Sequence, residues 1–82
     1  MGVLTDYFNA AMRRAHYEIL TDDGTYYGEI PGLQGLLANA ETLEGCRDEL
    51  AEALEEWVLI GLLAGHPIPE VDGIDLNIAV PR

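Results

Sequence analysis

The chain has 82 residues, with one cysteine, fifteen acidic residues and four arginines, and its formal net charge is −11. The lone Cys46 excludes an internal disulfide framework, no 18-residue apolar run exists to cross a membrane, and the N-terminus lacks the basic start and cleavage site of a signal peptide. The acidic excess repels phosphate backbones and argues against unassisted nucleic-acid binding, so the expectation is a soluble cytoplasmic protein of one domain, residues 1–82.

The first element is helical. Leu4, Tyr7, Phe8, Ala11, Met12 and Ala15 recur at the spacing of one helix face, predicting a short N-terminal helix within residues 1–14. Thr5 or Asp6 is suited to cap its start, and Arg13 and Arg14 complement its negative end. A helix of about three turns is marginal alone. Its stripe therefore calls for burial against the domain's own sheet or a second subunit.

The period then changes to two. Tyr17 and Ile19 fall on one face, His16 and Glu18 on the other. Asp22-Asp23-Gly24 follows, and Asp-Gly between two β-like runs is a hairpin signal because both turn positions favour positive φ. Residues 26–30 read as the return strand, which Pro31-Gly32 ends. Residues 35–40 form a third strand, completing an antiparallel meander.

A long helix is predicted over residues 43–64, roughly 33 Å at 1.5 Å per residue. Thr42 is its N-cap, although Gly45 stands where a capping box would place Glu or Gln. Leu43, Cys46, Leu50, Ala53, Leu54, Trp57, Val58 and Gly61 form the apolar stripe, with Glu44, Asp48, Glu52, Glu55 and Glu56 largely opposite. Residues 57–64 are apolar all round, the pattern of a helix end covered by another element or a subunit interface. Gly65, Pro67 and Pro69 stop the helix. Ile74, Leu76, Ile78 and Val80 then alternate with Asp75, Asn77 and Ala79 as a half-buried fourth strand. The order is α-β-β-β-α-β, an α+β fold with its core in residues 15–80.

Little in the chain points to catalysis. Counted from a two-residue Asp23-Gly24 turn, Glu18 stands opposite Glu29, a repulsive pair suited to a metal, to arginines or to solvent. His66 follows the helix exit, where it can contact the last carbonyls, and His16 has no acid fixed near it by spacing. No Ser-His-Asp order, phosphate loop, HExxH or CxxC is present, and Cys46 reads as a small buried hydrophobe. The expectation is a protein without catalytic, metal or cofactor residues.

Tyr17-Glu18-Ile19, the Asp-Asp-Gly turn, Tyr27-Gly28-Glu29-Ile30-Pro31-Gly32-Leu33, Gly35, Ala40-Glu41-Thr42-Leu43-Glu44 and Gly65-His66-Pro67-Ile68-Pro69 stand in a distinctive order. Over about two thirds of the chain this order resembles the HicB-like antitoxin family. The resemblance implies a partial ribonuclease-H-like β-β-β-α-β core lacking that fold's catalytic carboxylates. It also implies an antitoxin of a type II toxin–antitoxin pair, which binds and blocks HicA, a small basic ribonuclease. The alternative is a stand-alone oligomeric HicB-like protein with a structural or binding role. Partner contacts are expected from Glu18, Asp22, Asp23, Glu29, Glu44, Asp48, Glu52 and Glu55. Self-association, as a homodimer or higher homo-oligomer, is expected through Tyr7, Phe8, Met12, Trp57, Ile60, Leu63 and Ile78.

Overall fold

The computed structural model describes residues 2–76. Helix α1 spans Val3–Arg13, strands β1, β2 and β3 span His16–Ile19, Tyr26–Glu29 and Leu37–Ala40, and helix α2 spans Leu43–Ala64. The strands pair antiparallel in the order β1-β2-β3. The meander and the long helix are therefore as the sequence patterns predict. Residues 77–80 of the expected fourth strand lie outside the described residues. Ile74 does not join the sheet; it makes an isolated antiparallel bridge with Val71.

Helix α1 begins earlier than its polar residues imply. Gly2 is the N-cap and contributes no side-chain bond, while Asp6 lies inside the first turn, where its charge faces the positive end of the helix. The buried residues of α1 are Tyr7, Ala10 and Ala11. Two long-range contacts tie this helix to the segment after α2. The Tyr7 hydroxyl donates to the Pro69 carbonyl at 2.6 Å, and the Arg14 guanidinium pairs with Asp72, its Nε at 2.9 Å.

The β1–β2 hairpin corrects one expectation. Glu18 opposes Tyr27, and Glu29 opposes His16, so the two glutamates are not directly paired. A two-residue type I′ turn needs positive φ at both central residues. Here only Gly24 has it, at +73°, and the loop widens. Leu20 N–H donates to Thr25 O, Gly24 N–H donates to Leu20 O, and Asp23 accepts from the Thr25 N–H and hydroxyl. The tight Asp-Gly turn occurs elsewhere, at Asp72-Gly73, where both φ values are positive (51° and 79°) and Val71 and Ile74 exchange backbone hydrogen bonds.

Helix α2 seats directly on the sheet. Its Cys46, Leu50, Leu54, Val58 and Gly61 are buried, and the sheet presents Gly28 and Ala38 to the core. A Cβ at position 28 would stand 3.0 Å from the Tyr17 ring and 3.1 Å from Cys46 Sγ. Thr42 caps the helix as expected, accepting from Gly45 N–H at 2.9 Å. Position 45 has little space for a side chain, since a Cβ there would lie 2.9 Å from Thr42 Oγ1 and 3.4 Å from Ala40 Cβ. At the other end the Gly65 and His66 amides reach Leu62 O and Gly61 O, a Schellman closure with Gly65 left-handed. Gly61 is a notch for Ile68, whose Cδ1 would lie 2.6 Å from an added Cβ. Ile30, Leu33 and Leu36 from the β2–β3 connection, with Ile68, Val71 and Leu76, complete the core.

Three side chains depart from their expected roles. Tyr7 is 0% exposed in the chain's own core, so its ring is not free to meet a second subunit. Leu43, expected on the buried stripe, is 44% exposed because it opens the first turn of α2 before the helix reaches the core. Trp57 is half-buried, its indole N–H donating to the Gln34 carbonyl at 3.1 Å.

Replacing Gly28 with Ala is expected to lower stability by about 1–3 kcal/mol through overpacking. The cost should shrink in a Cys46→Ala background, with a coupling energy of about 0.5 kcal/mol or more in a double-mutant cycle of urea midpoints. Strict additivity would contradict the seating of Cys46 against Gly28.

Candidate functional site

The register divides the sheet into two faces. Tyr17, Tyr26, Gly28, Ala38 and Ala40 share the face toward α2, while His16, Glu18, Tyr27, Glu29, Leu37 and Asn39 share the other. On this outer face Glu18 and Glu29 are diagonal neighbours with Tyr27 beside both. The Tyr27 hydroxyl donates to Glu29 Oε1 at 3.1 Å. Burial, this hydrogen bond and the charges of Glu29 and Glu18 push the Tyr27 phenol up. Tyr27 is the member of this acidic patch that composition did not single out; its two-residue offset from Glu29 is the signal that places it there.

Asp22 and Asp23 extend the same region through the exposed hairpin loop. Asp23 is occupied locally: its carboxylate accepts from Thr25 N–H at 3.0 Å and Thr25 Oγ1 at 2.7 Å, and these bonds hold its pKa below the ordinary aspartate value. Asn39 ties the neighbouring strand to this loop, donating to Thr25 Oγ1 and Tyr26 O.

The remaining predicted acids lie on the opposite side of the molecule. Glu44, Asp48, Glu52 and Glu55 are exposed on α2, away from the stripe that packs on the sheet. The expected partner surface is therefore two surfaces separated by the core. Along the last turns of α2 the exposed residues change from acidic to apolar: Leu59, Ile60 and Leu63 are 56%, 64% and 79% exposed. From Trp57 to Pro69 no Asp, Glu, Lys or Arg occurs. Of the expected self-association residues, Ile60 and Leu63 are open, Phe8, Met12 and Trp57 are partly buried, and Ile78 lies outside the described residues.

Among the described residues no three His, Cys, Asp or Glu side chains gather where a metal ion could be held. Cys46 is buried with its thiol toward Ala38 O at 3.7 Å, and burial pushes that thiol up. Such a thiol remains protonated at neutral pH and is a poor nucleophile. Of the described residues, no helix is long and apolar enough to cross a membrane.

A family model described as UPF0150-like matches residues 6–69 of the chain. The chain is also similar to the crystal structure of TTHA0281 from Thermus thermophilus. That protein is 41% identical, and the match covers 100% of this chain and 99% of the other with a TM-score of 0.89. No functionally curated protein matches.

The Asp23 turn yields a pH signature. A depressed folded-state pKa contributes stability above the unfolded aspartate value of about 3.9, and that contribution is lost as pH falls through the folded midpoint. A carbon-detected NMR titration should place the Asp23 midpoint below the ordinary aspartate value, and Thr25→Val should raise it. An Asp23 midpoint at or above the ordinary value would contradict the turn geometry.

Proposed function

This chain belongs to the UPF0150-like family, and from that premise we propose that it is a HicB-like antitoxin of a type II toxin–antitoxin pair. On this reading its partial ribonuclease-H-like domain binds a small basic HicA-like mRNA ribonuclease in the cytoplasm and covers the RNA site. It performs no catalysis and holds no cofactor.

The observation that carries the reading is the outer face of α2. Glu44, Asp48 and Glu52 follow one another at four-residue spacing, and Glu55 adjoins them. Like charges at this spacing oppose the helix by about 0.2–0.5 kcal/mol per pair. Among the described residues the Arg14–Asp72 contact is the only ion pair, so no salt bridge neutralises this row, and Arg13 and Arg47 lie near it only at its Glu44 end. A basic surface laid along α2 relieves the repulsion, and the net charge of −11 steers such a partner inward. The sheet-face group of Glu18, Tyr27 and Glu29 serves as a second, smaller contact on the other side of the molecule.

A second reading, a stand-alone oligomer with a structural or binding role, is favoured by the uncovered Leu59, Ile60 and Leu63. Burying them in a homodimer or higher homo-oligomer removes a charge-free apolar end from water.

Native capture of the tagged chain from its own cells, followed by mass spectrometry, separates the two readings. The antitoxin reading expects a small basic protein at near-stoichiometric yield, whose RNA cleavage stops on adding this chain. Association should slow as salt rises. The Glu44→Lys/Asp48→Lys/Glu52→Lys variant should reduce the association rate about tenfold or more. Recovery of this chain alone, as an oligomer, would favour the second reading and overturn the first.

A further inference from the structure

The chain is strongly acidic, and cations on it have many possible partners. Its arginines do not use them alike. Arg14 pairs with Asp72, whereas Arg13 and Arg47 make no ion pair or side-chain hydrogen bond among the described residues. Both line one groove of about 590 Å³, formed where α1, β1 and the first turns of α2 meet. Small-molecule sites commonly occupy about 300–1,000 Å³, so the groove has room for a compact organic ligand.

The rest of the lining is mixed. Met12 and Leu43 supply apolar wall, and Tyr17 supplies an aromatic ring. Tyr17 and Arg47 are close enough to interact: burial pushes the phenol up, and the Arg47 charge partly offsets that rise. Leu43, exposed in the first turn of α2, is one wall of the open groove. Glu44 adds one carboxylate to a lining that holds two guanidiniums, so the lining carries a formal charge of about +1. That balance suits a singly charged anion. A polyanion such as RNA would meet Glu44 and the surrounding acids and be repelled.

We propose that this groove binds a small monocarboxylate with an apolar or aromatic body, its carboxylate held by Arg13 and Arg47 and its body against Tyr17, Met12 and Leu43. A guanidinium offers paired donors matched to the two oxygens of a carboxylate. Glu44 is the one anion in the lining, and it forms no ion pair or hydrogen bond with either arginine. The site does not rest on the antitoxin reading: the two share only Glu44, and neither arginine belongs to the acidic row.

The test is an amide-resolved NMR titration with 4-phenylbutyrate as the probe. The neutral 4-phenylbutanol and inorganic phosphate serve as controls for the body and the charge taken separately. Saturable shifts are expected at Ala15, Tyr17, Leu43 and Arg47, with both controls about tenfold weaker or more. The Arg13→Gln/Arg47→Gln variant should lose binding by about tenfold or more while keeping the parent urea midpoint, because both side chains are exposed. Non-saturating shifts, equal response to the alcohol, equal response to phosphate, or binding that survives in the folded double variant would each overturn the proposal.

Discussion

The close approach of α2 to the sheet is the constraint on which the rest of the structure depends. It is possible because Gly28 carries no side chain beneath Cys46, and Gly45 carries none beside the Thr42 cap and Ala40. Once the helix is seated, Cys46, Leu50, Leu54, Val58 and Gly61 are buried. Every acid on its far side is then directed to solvent. The Gly61 notch extends the same logic to the other end of the helix, letting Ile68 fold back over α2 and bring Pro69 within reach of the Tyr7 hydroxyl. Helix α1 is thereby joined to the core through its buried face and to the later segment through Tyr7 and Arg14.

That arrangement distributes charge unevenly. One acidic group lies on the outer sheet face around Tyr27, and a longer row lies along α2 on the other side. Beyond the row, α2 ends in exposed leucine and isoleucine without a charge nearby. The unpaired arginines lie at the opposite end of α2, beside its first turns. A basic protein, a second copy and a small anion would therefore meet parts of this surface that overlap only at Glu44. Charge selects among them: the acidic row attracts cations, the uncharged helix end tolerates self-contact without like-charge repulsion, and the groove offers the cations left unpaired.

Elements dominated by a local signal were legible in advance. The four-residue rhythm of α2, with Thr42 before it and Gly65 after it, is enough to delimit the helix because capping is a matter of nearest neighbours. The meander was legible from alternation. The hairpin register was not, since Asp23 can serve either as a turn residue at positive φ or as an acceptor for Thr25, and the second choice lengthens the loop and moves Glu18 opposite Tyr27. The acidic residues were recognised as exposed, but their division into two groups depends on which side of the sheet receives α2.

By itself the sequence determined the kinds and order of the elements from α1 to α2, the ends of the long helix and the acidic character of the surface. These follow from period, caps and composition, all of which act over a few residues. Tertiary structure alone decided that Tyr7 belongs to the core, that Arg14 is paired while Arg13 and Arg47 are not, and that Gly45 is a site of close packing and not a defective cap. Each of those outcomes depends on residues far apart in the chain meeting in space: Tyr7 with Pro69, Arg14 with Asp72, and the start of α2 with the groove beside α1 and β1. Period and propensity carry no information about such meetings, because the free energy that selects them is gained only when the separate elements pack together.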